Sequence, residues 1–330
     1  MFGICVIGCG YIANESHAPA LLKYRDENPG TALLGCCDSD KNKAMEFAKR
    51  FGFRAAYSDY RKMLYENRPS AVCLYASYVA IPKIASEVMQ MGIPILMEKP
   101  PGTTNDEVSL IIDAAKKTNV LNQVAFNRRF TPIVNKLLRS IESVCEDIHN
   151  IRCIFQRVSR TDSAFYTTAI HGIDTVRHIA GSDYREARFR YQELPQVNKG
   201  AANIYMDCVM ESGATAQLVF IPHGGRVVED YYVSCLNNDF RLKMPIWDSL
   251  EYPGGFWHYR GNEIVECAKG HEFGDEVFER FGFFAENASF FDAVKNGEKT
   301  AHDIFSARQS VDVAFCMEKR QEVYKNETII

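Results

Sequence analysis

Residues 1–125 of this chain alternate between apolar runs of strand length and stretches with helical periodicity. A strand followed by a helix and then by another strand is typical of a parallel sheet, because parallel neighbours need a long crossover connection. We therefore predict an α/β domain with a doubly wound, mostly parallel sheet. Its predicted strands are residues 2–7, 31–37, 71–75, 95–97 and 121–126, with predicted helices that include residues 40–51, 81–91 and 106–117.

After residue 126 the pattern changes to alternating apolar and polar residues, which is typical of half-buried strands. Short links at residues 211–213 and 236–239 read as hairpin turns, so we predict a large, mainly antiparallel sheet. Residues 276–323 read as helical, with a break at Gly297. At 330 residues the chain exceeds the usual size of one core, so we predict two domains. Their ranges are residues 1–125 and, as an α+β domain for substrate binding and oligomerisation, residues 126–330.

Composition excludes several classes of protein. A net charge of −4 and a pI near 6.1 argue against a nucleic-acid binder, which needs basic surface to neutralise phosphates. No run approaches the roughly 18 apolar residues of a membrane span. Eleven cysteines without a CxxC pair support neither a zinc site nor a disulfide framework, so we expect no metal, reduced thiols and a cytoplasmic location. Strand thiols are expected at Cys5, Cys36, Cys37, Cys73, Cys153, Cys208 and Cys235.

A glycine-rich turn follows the first strand directly and precedes a helix. It reads Gly8, Cys9, Gly10, Tyr11, Ile12, Ala13, which matches GxGxxA. In such a motif the first glycine permits a tight turn, the second lets the backbone approach a pyrophosphate, and the small last residue lets helix and strand pack closely. The alternatives are a purely structural turn and an adenosyl-methionine site. We predict that residues 1–125 form a dinucleotide-binding Rossmann domain.

Asp38 ends the second strand, where a carboxylate can accept hydrogen bonds from the hydroxyls of the adenosine ribose. A carboxylate there repels a 2′-phosphate, and the next two residues are Ser39 and Asp40 rather than arginine. NAD is therefore the predicted cofactor, with NADP as the alternative because Lys41 and Lys43 follow closely. The competing interpretation of Asp38 is a helix N-cap.

Two further elements carry titratable groups. Lys99 follows the strand at residues 95–97 and so lies at the carboxyl edge of the sheet, where α/β proteins bind ligands. His171 and Asp174 lie one turn apart on a predicted helix, and a histidine beside a carboxylate can shuttle a proton near neutral pH. Taken singly, each has a commoner alternative: an exposed lysine, and a structural helix pair.

In this order, the elements resemble the Gfo/Idh/MocA family, which includes glucose-fructose oxidoreductase and inositol dehydrogenase. The resemblance extends over nearly the whole chain. It rests on GCGYIA from Gly8, the strand end at Asp38, YSDYRKML from Tyr57, MEKPPG from Met97, FNRRFTP from Phe126 and HGIDTVRHIAG from His171.

This resemblance implies that Lys99 and His171 correspond to the family's catalytic lysine and histidine. The implied cofactor contacts are Gly8, Gly10, Tyr11, Ile12, Ala13, Asp38, Ser77, Glu98 and Lys99. The implied substrate contacts are Lys99, Arg128, Tyr166, Thr167, His171 and Asp174. Arg128 and Arg129 could meet a carboxylate or phosphate of the substrate, but the favoured interpretation is a tie between the domains. His17 could lie near the cofactor or substrate, but the favoured interpretation is a packed surface histidine.

Two positions depart from the family pattern. Many sugar-oxidising members carry an aspartate four residues before the histidine, whereas this chain has Thr167, with Asp162 or Asp174 as substitutes. The turn at residues 76–82 lacks the family's histidine. These departures bear on the substrate pocket and on the nicotinamide contacts, not on the fold.

The predicted function is NAD(P)-dependent hydride transfer between nicotinamide and a secondary alcohol or ketone of a sugar, cyclitol or related polyol. The alternative is a non-catalytic protein of the same fold that senses dinucleotide and sugar. We also expect a homo-oligomer, dimer or tetramer, built through the C-terminal sheet, because a large sheet with a second apolar face needs cover. No nucleic acid or membrane partner is expected.

Overall fold

The computed structural model describes residues 1–161, 164–247 and 249–326. The chain divides into two compact units. The first unit contains Met1–Asn127 and Gly282–Arg308, and the second contains Arg128–Phe281 and the chain from Gln309 onward.

The first unit is built on a six-stranded parallel sheet, as predicted. Its strand order is β3-β2-β1-β4-β5-β6, the order of the classical dinucleotide-binding fold. Strand and crossover helix alternate along the chain, so every strand presents its carboxyl end at the same edge. The strands are β1 (Phe2–Ile7), β2 (Thr31–Cys37), β3 (Ala55–Tyr57), β4 (Ala71–Leu74), β5 (Ile95–Glu98) and β6 (Asn122–Ala125).

Five α-helices connect the strands of this unit, and side-chain hydrogen bonds cap the start of α5. A capping box starts α5, the helix predicted at residues 106–117: the Thr104 hydroxyl accepts the Glu107 amide, and the Glu107 carboxylate accepts the Thr104 amide. A π-helical turn, Ala13–His17, precedes α1. The helices are α1 (Ala18–Glu27), α2 (Lys41–Phe51), α3 (Tyr60–Asn67), α4 (Ile81–Gln90) and α5 (Asn105–Thr118). A 3-10 turn, Asn127–Phe130, follows β6.

The second unit is built on a nine-stranded sheet in the order β14-β13-β12-β11-β7-β10-β9-β8-β15. The predicted hairpins β9–β10 and β11–β12 are both present, and the sheet is mainly antiparallel. One pair departs from that expectation, since β7 and β10 run parallel. The strands are β7 (Ile148–Gln156), β8 (Tyr184–Glu193), β9 (Ala202–Met210), β10 (Thr215–Ile221), β11 (Val228–Cys235), β12 (Asn238–Lys243), β13 (Gly255–Arg260), β14 (Glu263–Lys269) and β15 (Val323–Lys325).

Helix α7 covers one face of this sheet, packing against β7 and β10. Along β7, Cys153 and Phe155 are buried while Arg152 and Ile154 are exposed, so the two faces differ. The helices are α6 (Pro132–Val144), α7 (Tyr166–Ala180) and α8 (Val277–Arg280), with a 3-10 turn at Gly270–Phe273 before α8.

The C-terminal helical region differs from the predicted two helices around Gly297. Gly297 does end a helix, α9 (Phe283–Asn296), but Gly282 starts it with φ 86° and separates it from α8. Helix α10 (Ile304–Glu318) follows, and residues 323–325 form β15 instead of continuing the helix. The left-handed backbone at Gly282 and Gly297 interrupts the helical pattern that the apolar spacing predicts.

Helix α9 packs in the first unit, although the sequence boundary assigns it to the second domain. Phe290 and Phe291 are fully buried in the cluster that contains Ile4 and Val6 of β1. The backbone amide of Val124 in β6 also donates to the carbonyl of His302, at 2.9 Å. Burial of two phenylalanines, each worth about 1.5–3 kcal/mol, holds this returning segment. Sequence periodicity cannot reveal which sheet a distant helix covers.

One cysteine prediction is wrong. Cys235, expected as a reduced strand thiol, forms a disulfide with Cys145, and their Cα atoms are 5.9 Å apart. Cys145 follows α6 and Cys235 ends β11, with a sequence separation of 90. The tertiary fold brings the end of α6 close to the end of β11, so no local spacing signals the pair. The other six predicted strand thiols are free and buried.

Within the described ranges, no helix is long and apolar enough to cross a membrane. Over the same ranges, no group of three or more His, Cys, Asp or Glu side chains is arranged to hold a metal ion.

Candidate functional site

The glycine turn connects β1 to the first helix and is shaped by close backbone contact. Gly8 has φ +97°, and a Cβ at this position would lie 2.6 Å from the backbone carbonyl of Tyr75, which follows β4. No side chain fits there without moving the backbone. Ala13, predicted to let helix and strand pack closely, is fully buried.

Gly10 differs from Gly8 in a way that bears on ligand binding. A Cβ added to Gly10 would meet no protein atom within 4 Å, and the residue is exposed. Protein packing therefore does not require glycine here. The open space above the turn, at the start of a helix with unsatisfied amides, fits a dinucleotide pyrophosphate.

Asp38 is not a helix N-cap, which removes the competing interpretation. Its Oδ2 accepts the backbone amide of Cys9 in the glycine turn at 2.9 Å, and its Oδ1 accepts the amide of Asp40 at 3.0 Å. Asp40 is the residue that caps α2, accepting the amides of Asn42 and Lys43. Asp38 thus ties the end of β2 to the glycine turn and stays partly exposed, as a ribose-binding carboxylate must.

The remaining predicted cofactor residues follow the strands at the same edge. Tyr11 is 73% exposed, and Ile12 follows it in the first helical turn. Ser77 follows β4 in an exposed turn, where its carbonyl accepts the amides of Ala80 and Ile81. Lys99 follows β5 and is partly exposed. Because all these strands are parallel, Gly8, Asp38, Ser77 and Lys99 come to one edge of the sheet.

Glu98, predicted as a cofactor contact, is mostly buried and held by protein groups. Its Oε1 lies 2.8 Å from Nε2 of His17, and its Oε2 accepts the backbone amide of Lys99 at 2.9 Å. Burial by itself raises the pKa of Glu98, but the hydrogen bond from His17, the charge of Lys99 and the hydrogen bond from the Lys99 amide outweigh burial and lower the pKa. The carboxylate therefore stays ionised.

The prediction of His17 as a surface histidine is wrong, because the residue is fully buried. Its ring stacks on Tyr75 with centroids 3.8 Å apart and lies edge-on to Phe283 at 4.9 Å. Asn287 of α9 contacts its Nδ1 at 3.3 Å. Sequence reasoning missed Tyr75 and Asn287, since neither forms a motif with His17 along the chain.

In the second unit, three of the predicted substrate residues, Tyr166, Thr167 and His171, lie in the first two turns of α7. Tyr166 is the first residue of this helix, and the Thr167 hydroxyl donates to the carbonyl of Ala164 at 2.8 Å. His171 lies in the second turn and is 6% exposed. Asp162, one of the substitutes proposed for the family aspartate, lies outside the described residues.

Asp174 does not have the environment that a proton-shuttling partner requires. Its carboxylate accepts two hydrogen bonds from Arg129, at 2.6 and 2.8 Å, and one from Ser310 at 2.8 Å. Burial raises its pKa, but Arg129 and Ser310 outweigh burial and lower it. Asp174 is thus an ionised structural partner of Arg129. This favours the structural interpretation of the residue pair His171 and Asp174.

Arg128 is also committed within the second unit. Its Nε and Nη2 donate to the two oxygens of Glu229 at 2.9 and 3.0 Å, and Arg157 donates to the same carboxylate at 2.6 Å. Burial raises the pKa of Glu229, but the two guanidinium groups outweigh it and hold the pKa at about 2. Neither Glu229 nor Arg157 belongs to a recognisable motif, so sequence reasoning missed both.

The parallel strand order, the glycine turn and the carboxylate after β2 define the first unit as a dinucleotide-binding α/β domain. Residues 2–126 match a family described as an oxidoreductase family with an NAD-binding Rossmann fold, GFO_IDH_MocA. For residues 2–126 this match agrees with the resemblance that the sequence motifs predicted, and it identifies an NAD-binding Rossmann domain.

Similar proteins agree with this assignment. Levoglucosan dehydrogenase from Pseudarthrobacter phenanthrenivorans is 32% identical over 105 residues, which cover 32% of this chain and 27% of that protein. Inositol 2-dehydrogenase from Burkholderia multivorans is 27% identical over 198 residues, 57% of each chain. The matches thus span less than two thirds of these relatives.

Solved structures extend the likeness of fold to the second unit. A levoglucosan dehydrogenase in complex with NADH and L-sorbose superposes with a TM-score of 0.82 at 17% sequence identity, covering 98% of both chains. At this identity the comparison shows a shared fold.

The two glycines of the turn should respond differently to alanine. Gly8→Ala should destabilise the first unit by about 2 kcal/mol or more, since its Cβ meets backbone at a left-handed position. Gly10→Ala should leave the free energy of unfolding within about 0.5 kcal/mol of the wild-type value. It should nevertheless weaken NADH binding at least about tenfold, because the methyl group occupies the space left for pyrophosphate. Urea denaturation and NADH fluorescence titration measure both. Unchanged NADH affinity in Gly10→Ala would refute the assigned role.

The Glu229 cluster should make stability depend on acid pH. A carboxylate whose folded pKa of about 2 lies below its ordinary 4.5 stabilises the fold above pH 4.5 and loses this contribution as pH falls towards 2. Glu229→Gln should cost about 3 kcal/mol at pH 7, because it leaves two buried guanidinium groups less compensated. The difference in free energy of unfolding between wild type and Glu229→Gln should be smaller at pH 3 than at pH 7, as measured by urea denaturation. The exposed Glu263→Gln is the control, and a gap that does not vary with pH contradicts the prediction.

Proposed function

We propose that this protein is an NAD-dependent oxidoreductase that acts on a secondary alcohol or ketone of a sugar, cyclitol or related polyol. The observation that carries the proposal is Lys99, at the carboxyl end of β5, on the sheet edge that also presents Gly10 and Asp38. The relatives named levoglucosan dehydrogenase and inositol 2-dehydrogenase support this substrate class.

When bound, nicotinamide supplies the hydride chemistry, and the protein supplies orientation and charge control. Lys99 and His171 are the proposed catalytic residues, which hold or move the proton of the substrate hydroxyl. Tyr166 and Thr167, at the start of the helix that carries His171, are proposed to line the substrate pocket. Direct substrate contacts by Arg128 and Asp174 are not retained, because their side chains pair with Glu229 and Arg129.

Asp38 supports NAD over NADP as the cofactor. Its carboxylate is fixed by the Cys9 and Asp40 amides and partly exposed, so a 2′-phosphate brought to it would meet a negative charge. Tyr11, Ile12 and Ser77 are proposed to complete the cofactor contacts. Glu98 is proposed to act at this edge through its hydrogen bond to the Lys99 amide.

Assembly and location are also proposals. The face of the nine-stranded sheet opposite α7 exposes Arg152 and Ile154, the latter by 38%, and we propose that a second copy covers it. Buried free thiols such as Cys36 and Cys73 support a cytoplasmic location. The Cys145–Cys235 disulfide argues against it, because the reducing cytoplasm favours the reduced form of this pair.

Replacement of Lys99 distinguishes the proposed enzyme function from the alternative of a non-catalytic sensor. A panel of sugars, inositols and their acids is first screened with NAD by NADH absorbance. With the substrate found, Lys99→Met should lower kcat by about a thousandfold, while NADH affinity stays within about threefold. Lys83→Met, an exposed lysine on α4, is the matched control. Turnover by Lys99→Met equal to wild type would remove Lys99 from the mechanism.

Replacement of Asp38 tests cofactor choice. Asp38→Ala should weaken NAD binding more than NADP binding, because it removes both the ribose acceptor and the charge that repels a phosphate. Asp40→Ala is the control: loss of the α2 cap should cost about 1 kcal/mol without changing the NAD to NADP ratio. Fluorescence titration with both reduced cofactors measures the ratio. An opposite ranking for Asp38→Ala overturns the assignment.

A further inference from the structure

Four residues beneath the cofactor edge of the first unit form a buried hydrogen-bonded chain. They are His17, Tyr75, Glu98 and Asn287, and none is more than 7% exposed. The chain connects four separate elements: the π-helical turn, the end of β4, the end of β5 and α9. It ends at the backbone of Lys99.

The direction of each hydrogen bond follows from Asn287. Its side-chain nitrogen lies 2.9 Å from the carbonyl of Phe283, which can only accept, so this atom is the amide NH2 group. The same nitrogen faces Nδ1 of His17 at 3.3 Å, and therefore Nδ1 accepts. The Oδ1 of Asn287 correspondingly accepts the Tyr75 hydroxyl at 3.0 Å.

With Nδ1 as an acceptor, the proton of His17 must reside on Nε2. That N–H donates to Oε1 of Glu98 at 2.8 Å, and the other oxygen of Glu98 accepts the Lys99 amide at 2.9 Å. Every donor described in this hydrogen-bonded chain therefore meets an acceptor. Such a fully satisfied buried network holds one geometry, because any rotation leaves a buried polar atom unpaired.

We propose that His17 is a positioning residue for Lys99: through Glu98 it holds the backbone of Lys99 at the end of β5, and hence the direction of its side chain. The proposal rests on the proposed function for the use of the Lys99 amine. His17 itself acts only through Glu98. The stacking of its ring on Tyr75 fixes the imidazole plane, so that Nε2 stays aimed at the carboxylate.

Two substitutions separate the hydrogen bond from the packing. His17→Phe keeps a ring against Tyr75 and Phe283 but removes both nitrogens, whereas His17→Gln offers an amide donor near the position of Nε2. Loss of orientation should lower kcat by about 10- to 100-fold in His17→Phe, with KM and NADH affinity within about threefold. His17→Gln should recover most of this loss.

Tyr24→Phe provides the matched control. The Tyr24 hydroxyl donates to Asp292 at 2.6 Å, so it also joins α1 to α9 inside the first unit, but it does not reach Glu98. This variant should lower the melting temperature and leave kcat unchanged. Equal kcat losses in Tyr24→Phe and His17→Phe would show that His17 acts only through stability, and would overturn the proposal.

Two readouts do not need turnover. Side-chain ¹⁵N NMR of wild type at pH 7 should show His17 with a protonated Nε2 and an unprotonated Nδ1, and the reverse tautomer would contradict the network. The rate at which an amine-reactive reagent labels Lys99, followed by mass spectrometry, should change at least about threefold in His17→Phe and not in Tyr24→Phe. Unchanged labelling refutes the positioning role.

The outcomes also separate this proposal from the proposed function. If wild type turns over no sugar or cyclitol, the proposed function fails, while the tautomer and the labelling rate still decide the role of His17. If wild type is active and His17→Phe keeps its full kcat, the positioning role fails and the function stands.

Discussion

Parallel pairing of β1 with both β2 and β4 is the constraint on which the candidate site depends. It puts the ends of three strands at one edge, where Gly8 lies against the backbone of Tyr75 and Asp38 accepts the amide of Cys9. The glycine turn is therefore fixed from both sides, by steric contact after β4 and by a hydrogen bond after β2. A turn held in this way leaves its outer surface, at Gly10, exposed.

Three carboxylates of this protein are buried and paired. Glu98, Asp174 and Glu229 are each nearly inaccessible, and each accepts hydrogen bonds from a cationic or imidazole partner that keeps it ionised. Two of these carboxylates stabilise the second unit through Arg128 and Arg129, while Glu98 lies next to Lys99. Burial of a charge is costly, so each such pair is also a constraint on the positions of its neighbours.

The strong patterns of the sequence predicted the architecture well. Strand β1, the glycine turn and helix α5 depend on residues close along the chain, and all three are where they were predicted. The short strand β3 and the edge strand β14 were not predicted, because three residues carry little periodicity and β14 is largely exposed. The first-unit location of α9 was missed for a different reason, since apolar spacing marks a buried face but not its partner.

By itself, the sequence determined the glycine turn after β1 and the resemblance to one oxidoreductase family, and it predicted Lys99 and His171 as candidate catalytic residues. These depend on motifs in which neighbouring residues share one task. Only the tertiary structure decided that His17 is buried against Glu98, that Asp174 belongs to Arg129 and that Cys145 meets Cys235. A partner's identity depends on which distant segments come within hydrogen-bonding distance, and the pairing of elements sets that distance after the chain has folded.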